Sequence, residues 1–112
     1  MKRAPKYGNR KVTWNGEKFD SQAECSRYCT LLTMQRVGRI SNLTRQVSFV
    51  LAPKVVINGV AKRSLIYRAD FGYTDQDGKA VVEDVKGALT AVYKIKRHLM
   101  MSVHGISILE TK

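Results

Sequence analysis

A single α/β domain, with a central mixed β-sheet flanked by helices, is predicted by three features of the sequence. Two stretches carry helix caps and apolar residues at helical spacing. Between them lie segments of two-residue alternation, punctuated by turn residues. A last short apolar segment follows the second helical stretch. The chain has 112 residues, which suits one domain with one compact core. Residues 1–10 read as a basic arm and residues 11–112 as the folded domain.

Val12 to Phe19 holds Asn15-Gly16 between Trp14 and Phe19, a hairpin-turn signal. Ser21-x-x-Glu24 then matches a capping box. It opens a helix from about Ser21 to Val37, with Ala23, Tyr28, Leu31, Leu32 and Met34 on its apolar side. Gly38 is a plausible stop. From Ile40 to Leu51 the pattern alternates, with Leu43, Arg45, Val47, Phe49 and Leu51 on one phase, and Pro53 ends the strand. Val55 to Ile57, Asn58-Gly59 and Val60 suggest a short hairpin excursion. Two clear strands follow, Ser64 to Thr74 and Lys79 to Lys86, joined by Asp75-Gln76-Asp77-Gly78. Thr90 caps a second helix to about His104, which Gly105 ends. Its apolar stripe is Val92, Ile95, Leu99 and Val103. Ile106 to Leu109 reads as the last strand.

Charge narrows the function. Twenty Lys and Arg face nine Asp and Glu, a net charge of +11, and nucleic acid is the commonest partner for such an excess. The cations cluster in Lys2, Arg3, Lys6, Arg10 and Lys11, and again in Lys94, Lys96 and Arg97. No apolar run approaches the ~20 residues of a membrane span, and no signal core follows the basic start, so a soluble cytoplasmic protein is expected. Cys25 and Cys29 are one helical turn apart, where a disulfide fits badly; both are expected as free thiols in or near the core. His98 and His104 lack metal-motif spacing from them and are expected at the surface or a helix end.

The Asp75–Gly78 turn sets a register. With Gln76-Asp77 as a type I corner and Gly78 as the bulge residue, Asp75 pairs with Lys79, and Asp70 falls opposite Asp84. Opposed residues share a face, so the two acids would be neighbours, with Lys86 beside Arg68 on that face. Opposed carboxylates repel unless something compensates. A divalent cation is the simplest compensation, and Mg²⁺ or Mn²⁺ suits oxygen ligands that also meet phosphate. The alternative is an exposed hairpin carrying Asp84–Lys86 and Asp70–Arg68 charge pairs. Glu24 likewise has two readings: a capping residue, or a third acid brought to the sheet by the first helix. Glu83 alternates to the opposite face, where a basic partner is expected. Gln46, polar within an alternating strand, fits either a site contact or a structural hydrogen bond. Trp14 and Tyr93 are expected in the core rather than stacked on bases.

Asp70, a hairpin, and Asp84-Val85-Lys86 before a basic helix and a strand resemble the PD-(D/E)XK nuclease superfamily, whose core order is helix, three strands, helix, strand. More specifically, the chain resembles small phage-encoded endonucleases of the Holliday-junction-resolving kind. Phe19-Asp20-Ser21-x-x-Glu24-x-x-Arg27-Tyr28, Tyr67-x-Ala69-Asp70-Phe71-x-Tyr73, Val81 to Gly87 and Thr90-x-x-Tyr93 carry that likeness. Ala69 stands where many superfamily members have proline. The resemblance implies a restriction-endonuclease-like core and hydrolysis of phosphodiester bonds in DNA. It implies Asp70, Asp84 and the Val85 carbonyl as metal ligands, Lys86 as the catalytic lysine and Glu24 as the first-helix acid. Lys94, Lys96, Arg97 and the arm residues Lys2, Arg3 and Lys6 would track phosphates, and a junction-cutting enzyme would act as a homodimer. The rival expectations are a non-catalytic nucleic-acid-binding accessory protein and an enzyme of small phosphate esters.

Overall fold

The computed structural model describes residues 10–112; Lys2, Arg3 and Lys6 of the expected basic arm lie outside that range. The first described elements are β1 (Val12–Trp14) and β2 (Glu17–Phe19), a two-stranded ribbon. Asn15 and Gly16 both take positive φ, 51° and 79°, as a two-residue hairpin of this twist requires. Helix α1 (Gln22–Arg36) is capped by Ser21, whose Oγ accepts from the Glu24 amide at 3.1 Å. The main sheet follows from β3 (Ser41–Ala52), β6 (Leu65–Thr74), β7 (Ala80–Val85) and β8 (Leu109–Thr111), in the order β3-β6-β7-β8. Its first three strands run antiparallel and β8 pairs parallel to β7. Between β3 and β6 a separate ribbon forms from β4 (Val55–Ile57) and β5 (Val60–Lys62), and α2 (Ala91–His104) precedes β8. With the two ribbons set aside, the order is helix, three strands, helix, strand, and the sheet is mixed, as expected.

Helices on opposite faces give the sheet two cores. Leu31 of α1 packs with Ile40, Phe71 and Tyr73. Tyr93 and Met100 of α2 pack with Leu51, Tyr67, Ala69, Val82 and Ile108. Odd-numbered residues of β6 therefore serve both cores: Tyr67 and Ala69 the α2 side, Phe71 and Tyr73 the α1 side. The same change of phase occurs in β3. Leu43 packs on the α1 core and Arg45 lies over the Phe19 ring, whereas Phe49 and Leu51 join the α2 core. The expectation that Leu43 through Leu51 share one phase is thus corrected. The break is at Gln46, whose φ is 56°. A left-handed residue turns the strand over, and the alternation restarts on the other face. Just beyond the break the strands approach closely: a Cβ on Gly72 would stand 3.0 Å from Val47 Cγ2, which accounts for glycine there.

Further expectations are corrected. Val92, Ile95 and Val103 are exposed, Val92 to 63%, and of the expected α2 stripe only Leu99 is half-buried. Tyr93 and Met100 face the sheet instead, because Tyr93 buries a large ring while its hydroxyl reaches Glu110 at 2.5 Å. Ala23 is exposed at the first turn of α1. Trp14 is 40% exposed, edge-on to Tyr28 rather than in the core. The last strand begins at Leu109, not Ile106; Ile106 and Ile108 instead pack against the α2 core ahead of it. Cys25 and Cys29 are free, the first buried. His98 is exposed, and His104 ends α2 with Nε2 2.7 Å from the Val50 carbonyl.

Candidate active site

The loop between β6 and β7 fixes the site. Asp75 Oδ1 accepts from the amides of Asp77 and Lys79, each at 2.9 Å, and Gly78 takes φ 79°. The pairing runs from Thr74↔Ala80 to Phe71↔Glu83, the register expected from the turn, and one step further sets Asp70 opposite Asp84. There the two strands are joined by side chains. The Asp70 amide donates to Asp84 Oδ1 at 3.0 Å, and the Val85 amide donates to Asp70 Oδ2 at 2.8 Å. Each acid is held by the backbone of the opposite strand.

Asp84 is 1% exposed. Its Oδ2 accepts from the Tyr67 hydroxyl and lies 3.1 Å from Lys86 Nζ. Lys86 also stands 4.3 Å from the centre of the Tyr93 ring, so an aromatic face and a carboxylate together hold its ammonium. The first turn of α1 supplies Glu24, which is 2% exposed. Its Oε2 accepts from the Asp20 amide at 2.9 Å, Gln46 Nε2 donates to its Oε1 at 3.4 Å, and its carboxyl is within hydrogen-bonding reach of Asp70. Glu24 thus serves both readings of the sequence, closing the helix start and standing in the acidic group. Burial, followed by the oxygens of Glu24 and Asp84, pushes the Asp70 carboxyl up to about 9. Burial and the hydrogen bond to Asp84 push the Tyr67 hydroxyl upward too.

Glu83 is on the other face, as alternation predicts, and fully buried. Arg27 grips it with Nε at 2.6 Å and Nη2 at 3.0 Å, while Tyr73 and Thr111 hydroxyls donate at 2.7 and 3.1 Å. A buried charge so fully paired is structural; it ties α1 and β8 to β7. Sequence pattern alone points to neither Tyr67 nor Arg27, although both lie in the stretches that carry the resemblance. Among the basic residues expected on phosphates, Lys94 is exposed. Arg97 is held by Glu110 at 3.1 Å, and Lys96 lines a cleft of about 430 Å³ with Arg68, Lys86 and Tyr93. A second cleft, about 940 Å³, runs past Arg10, Ala23, Val85, Lys86 and Lys112. Lys86 forms part of both walls, and among the described residues no acidic one lines either cleft.

A family model matches residues 4–106. The chain belongs to that family, described as "Protein of unknown function (DUF1064)". The match takes in every site residue of this DUF1064 chain from Glu24 to Lys86. Neither a curated protein nor a solved structure matches it.

The donor set fits a hard cation. Among the described residues no three His, Cys, Asp or Glu side chains are grouped as a metal cage. Mg²⁺ seldom uses one: it takes one or two carboxylates and completes its shell with water and substrate phosphate. Asp70 and Asp84 supply two carboxylates on facing strands, and the Val85 carbonyl follows in the chain.

Proposed function

We propose that this chain is a Mg²⁺- or Mn²⁺-dependent endodeoxyribonuclease of the PD-(D/E)XK type. Its substrate would be branched DNA of the Holliday-junction kind, met in the cytoplasm of a phage-infected or prophage-carrying cell. The observation that carries the reading is the group Glu24, Asp70, Asp84 and Lys86, whose Lys86 lines two clefts walled by basic residues in a chain of net charge +11. Asp70, Asp84 and the Val85 carbonyl would hold the ion, with Glu24 beside them. When bound, the ion would polarise the phosphodiester and neutralise its charge.

The other steps belong to the protein. Lys86, fixed by Asp84 and Tyr93, presents a cation to the scissile phosphate and orients the attacking water. Tyr67, donating to Asp84, keeps that carboxylate turned toward Lys86. Arg10, Arg68, Lys96 and Lys112 on the cleft walls would draw in the DNA backbone. Cutting both strands of a junction calls for two sites, hence a homodimer. The apolar surface of the β4–β5 ribbon is where copies would join.

The test is incubation with a four-way junction, a flap and a linear duplex, each in Mg²⁺ and in EDTA. The expected result is cutting of the junction in Mg²⁺ alone, lost in Asp84→Asn. Tight junction binding with no cutting in either buffer would instead make the chain a non-catalytic accessory protein.

A further inference from the structure

Gln46 joins three observations that the proposed chemistry leaves unused. Its φ of 56° is left-handed, disfavoured for any residue with a Cβ, and rarer still inside a strand. Arg45 pairs with Phe71 and Val47 with Ala69, so the position facing Gln46 is Asp70. Its side-chain amide reaches Glu24 Oε1 at 3.4 Å. Backbone strain that persists in a strand and coincides with a buried acidic cluster points to function. Had β3 kept its phase, Gln46 would have followed Thr44 to the α2 face, away from Glu24.

We infer that Gln46 is a positioning residue of the acidic site: its left-handed backbone turns β3 over opposite Asp70 and lays its amide on Glu24, holding that carboxylate at Asp70. The inference rests on the nuclease reading. The turn lets β3 serve both cores, but the Gln46 side chain is itself exposed and fills neither, so its amide is assigned to the site.

Gln46→Gly keeps the left-handed backbone free of strain and removes the amide; Gln46→Ala keeps the strain and removes the amide. In EDTA, Gln46→Gly should raise Tm by roughly 4 °C, while Gln46→Ala should not. Both should weaken Mn²⁺ binding, read by titration calorimetry, by about tenfold, the usual effect of losing a group that orients a ligand. Junction cleavage should fall with it. In a Glu24→Gln background, Gln46→Gly should bring no further loss of Mn²⁺ affinity. Unchanged Mn²⁺ affinity and cleavage in Gln46→Gly would overturn the inference, as would a Tm lowered equally by both substitutions. If the wild-type chain takes up no Mn²⁺ and cuts nothing, the nuclease reading falls. The Tm cycle of Gln46→Gly with Glu24→Gln in EDTA then decides alone: non-additive shifts keep the pairing, and additive shifts end it.

Discussion

Burial penalises a charge on Asp70, the nearby oxygens of Glu24 and Asp84 add to that penalty, and its carboxyl therefore holds a proton when no cation is present. Its ordinary value of 3.8 rises to about 9 in the folded chain. The folded state therefore keeps a proton that the unfolded chain loses between those limits. The associated stability is fully present below about pH 4 and is lost as pH climbs toward 9. Melting curves in EDTA across that window should show a falling Tm for the wild type. Asp70→Asn, permanently neutral, should flatten the fall while abolishing Mg²⁺-dependent cleavage; an equally steep fall would show that Asp70 stays ionised. Glu24→Gln separates cap from site. The new amide keeps an oxygen for the Asp20 N–H, so Tm should move by no more than about 2 °C, while cleavage drops about tenfold or more. Wild-type cleavage would leave Glu24 with the cap alone. Both acids were legible because short-range chemistry placed them: Ser21-x-x-Glu24 opens a helix, and Asp75 with Gly78 fixes a turn. Gln46 stood out as a polar residue in an alternating strand, but its left-handed backbone was not legible, since glutamine carries no local preference for positive φ.

Among the elements, α2 carries most of the sequence-level error, and the reason is physical. Val92, Ile95, Leu99 and Val103 make a regular stripe, but the sheet takes Tyr93 and Met100, which offer larger surfaces and, in Tyr93, a hydroxyl that Glu110 can accept from. That rotation changes what the basic residues of α2 do. Arg97 lies against Glu110 and near the Tyr93 ring; the Tyr93 hydroxyl first, and Arg97 after it, hold the Glu110 carboxyl below its ordinary range. Lys94 projects from the helix with no ion pair of its own among the described residues. Lys94→Ala should lower the salt slope of junction binding by about 0.9, measured in Ca²⁺. Arg97→Ala should leave the slope nearly unchanged and cost up to about 1 kcal/mol of stability, the value of a part-exposed pair. Equal slope changes in the two variants would mean that Arg97 leaves Glu110 for phosphate.

The whole molecule is more extended than its length requires. Its radius of gyration is 16.2 Å, against about 13 Å for a compact chain of this size. The β4–β5 ribbon is a sheet of its own: every residue in both strands is exposed, and Val55, Val56, Ile57 and Val60 add to the exposed apolar residues Val50, Leu65 and Ile66 beside it in the chain. No acidic residue occurs between positions 50 and 69. Val56, 68% exposed, makes a clean probe. Val56→Asp should leave Tm within about 2 °C, as surface changes do, and convert a dimer to a monomer in sedimentation equilibrium; a monomeric wild type would remove the ribbon from that role. The change of phase at Gln46 and Asp70 has a consequence of its own at this scale. A sheet whose strands serve one core at one end and another core at the other is two cooperative units sharing a backbone, and such units open separately in native-state hydrogen exchange. The acids sit on the seam: Glu24 belongs to the α1 unit, Asp84 and Lys86 to the α2 unit, and Asp70 to the strand between. Anything that grips all of them at once staples the units together, so occupancy of the site should be readable as slower amide exchange in Leu31 and in Met100 alike, far from where the ligand sits.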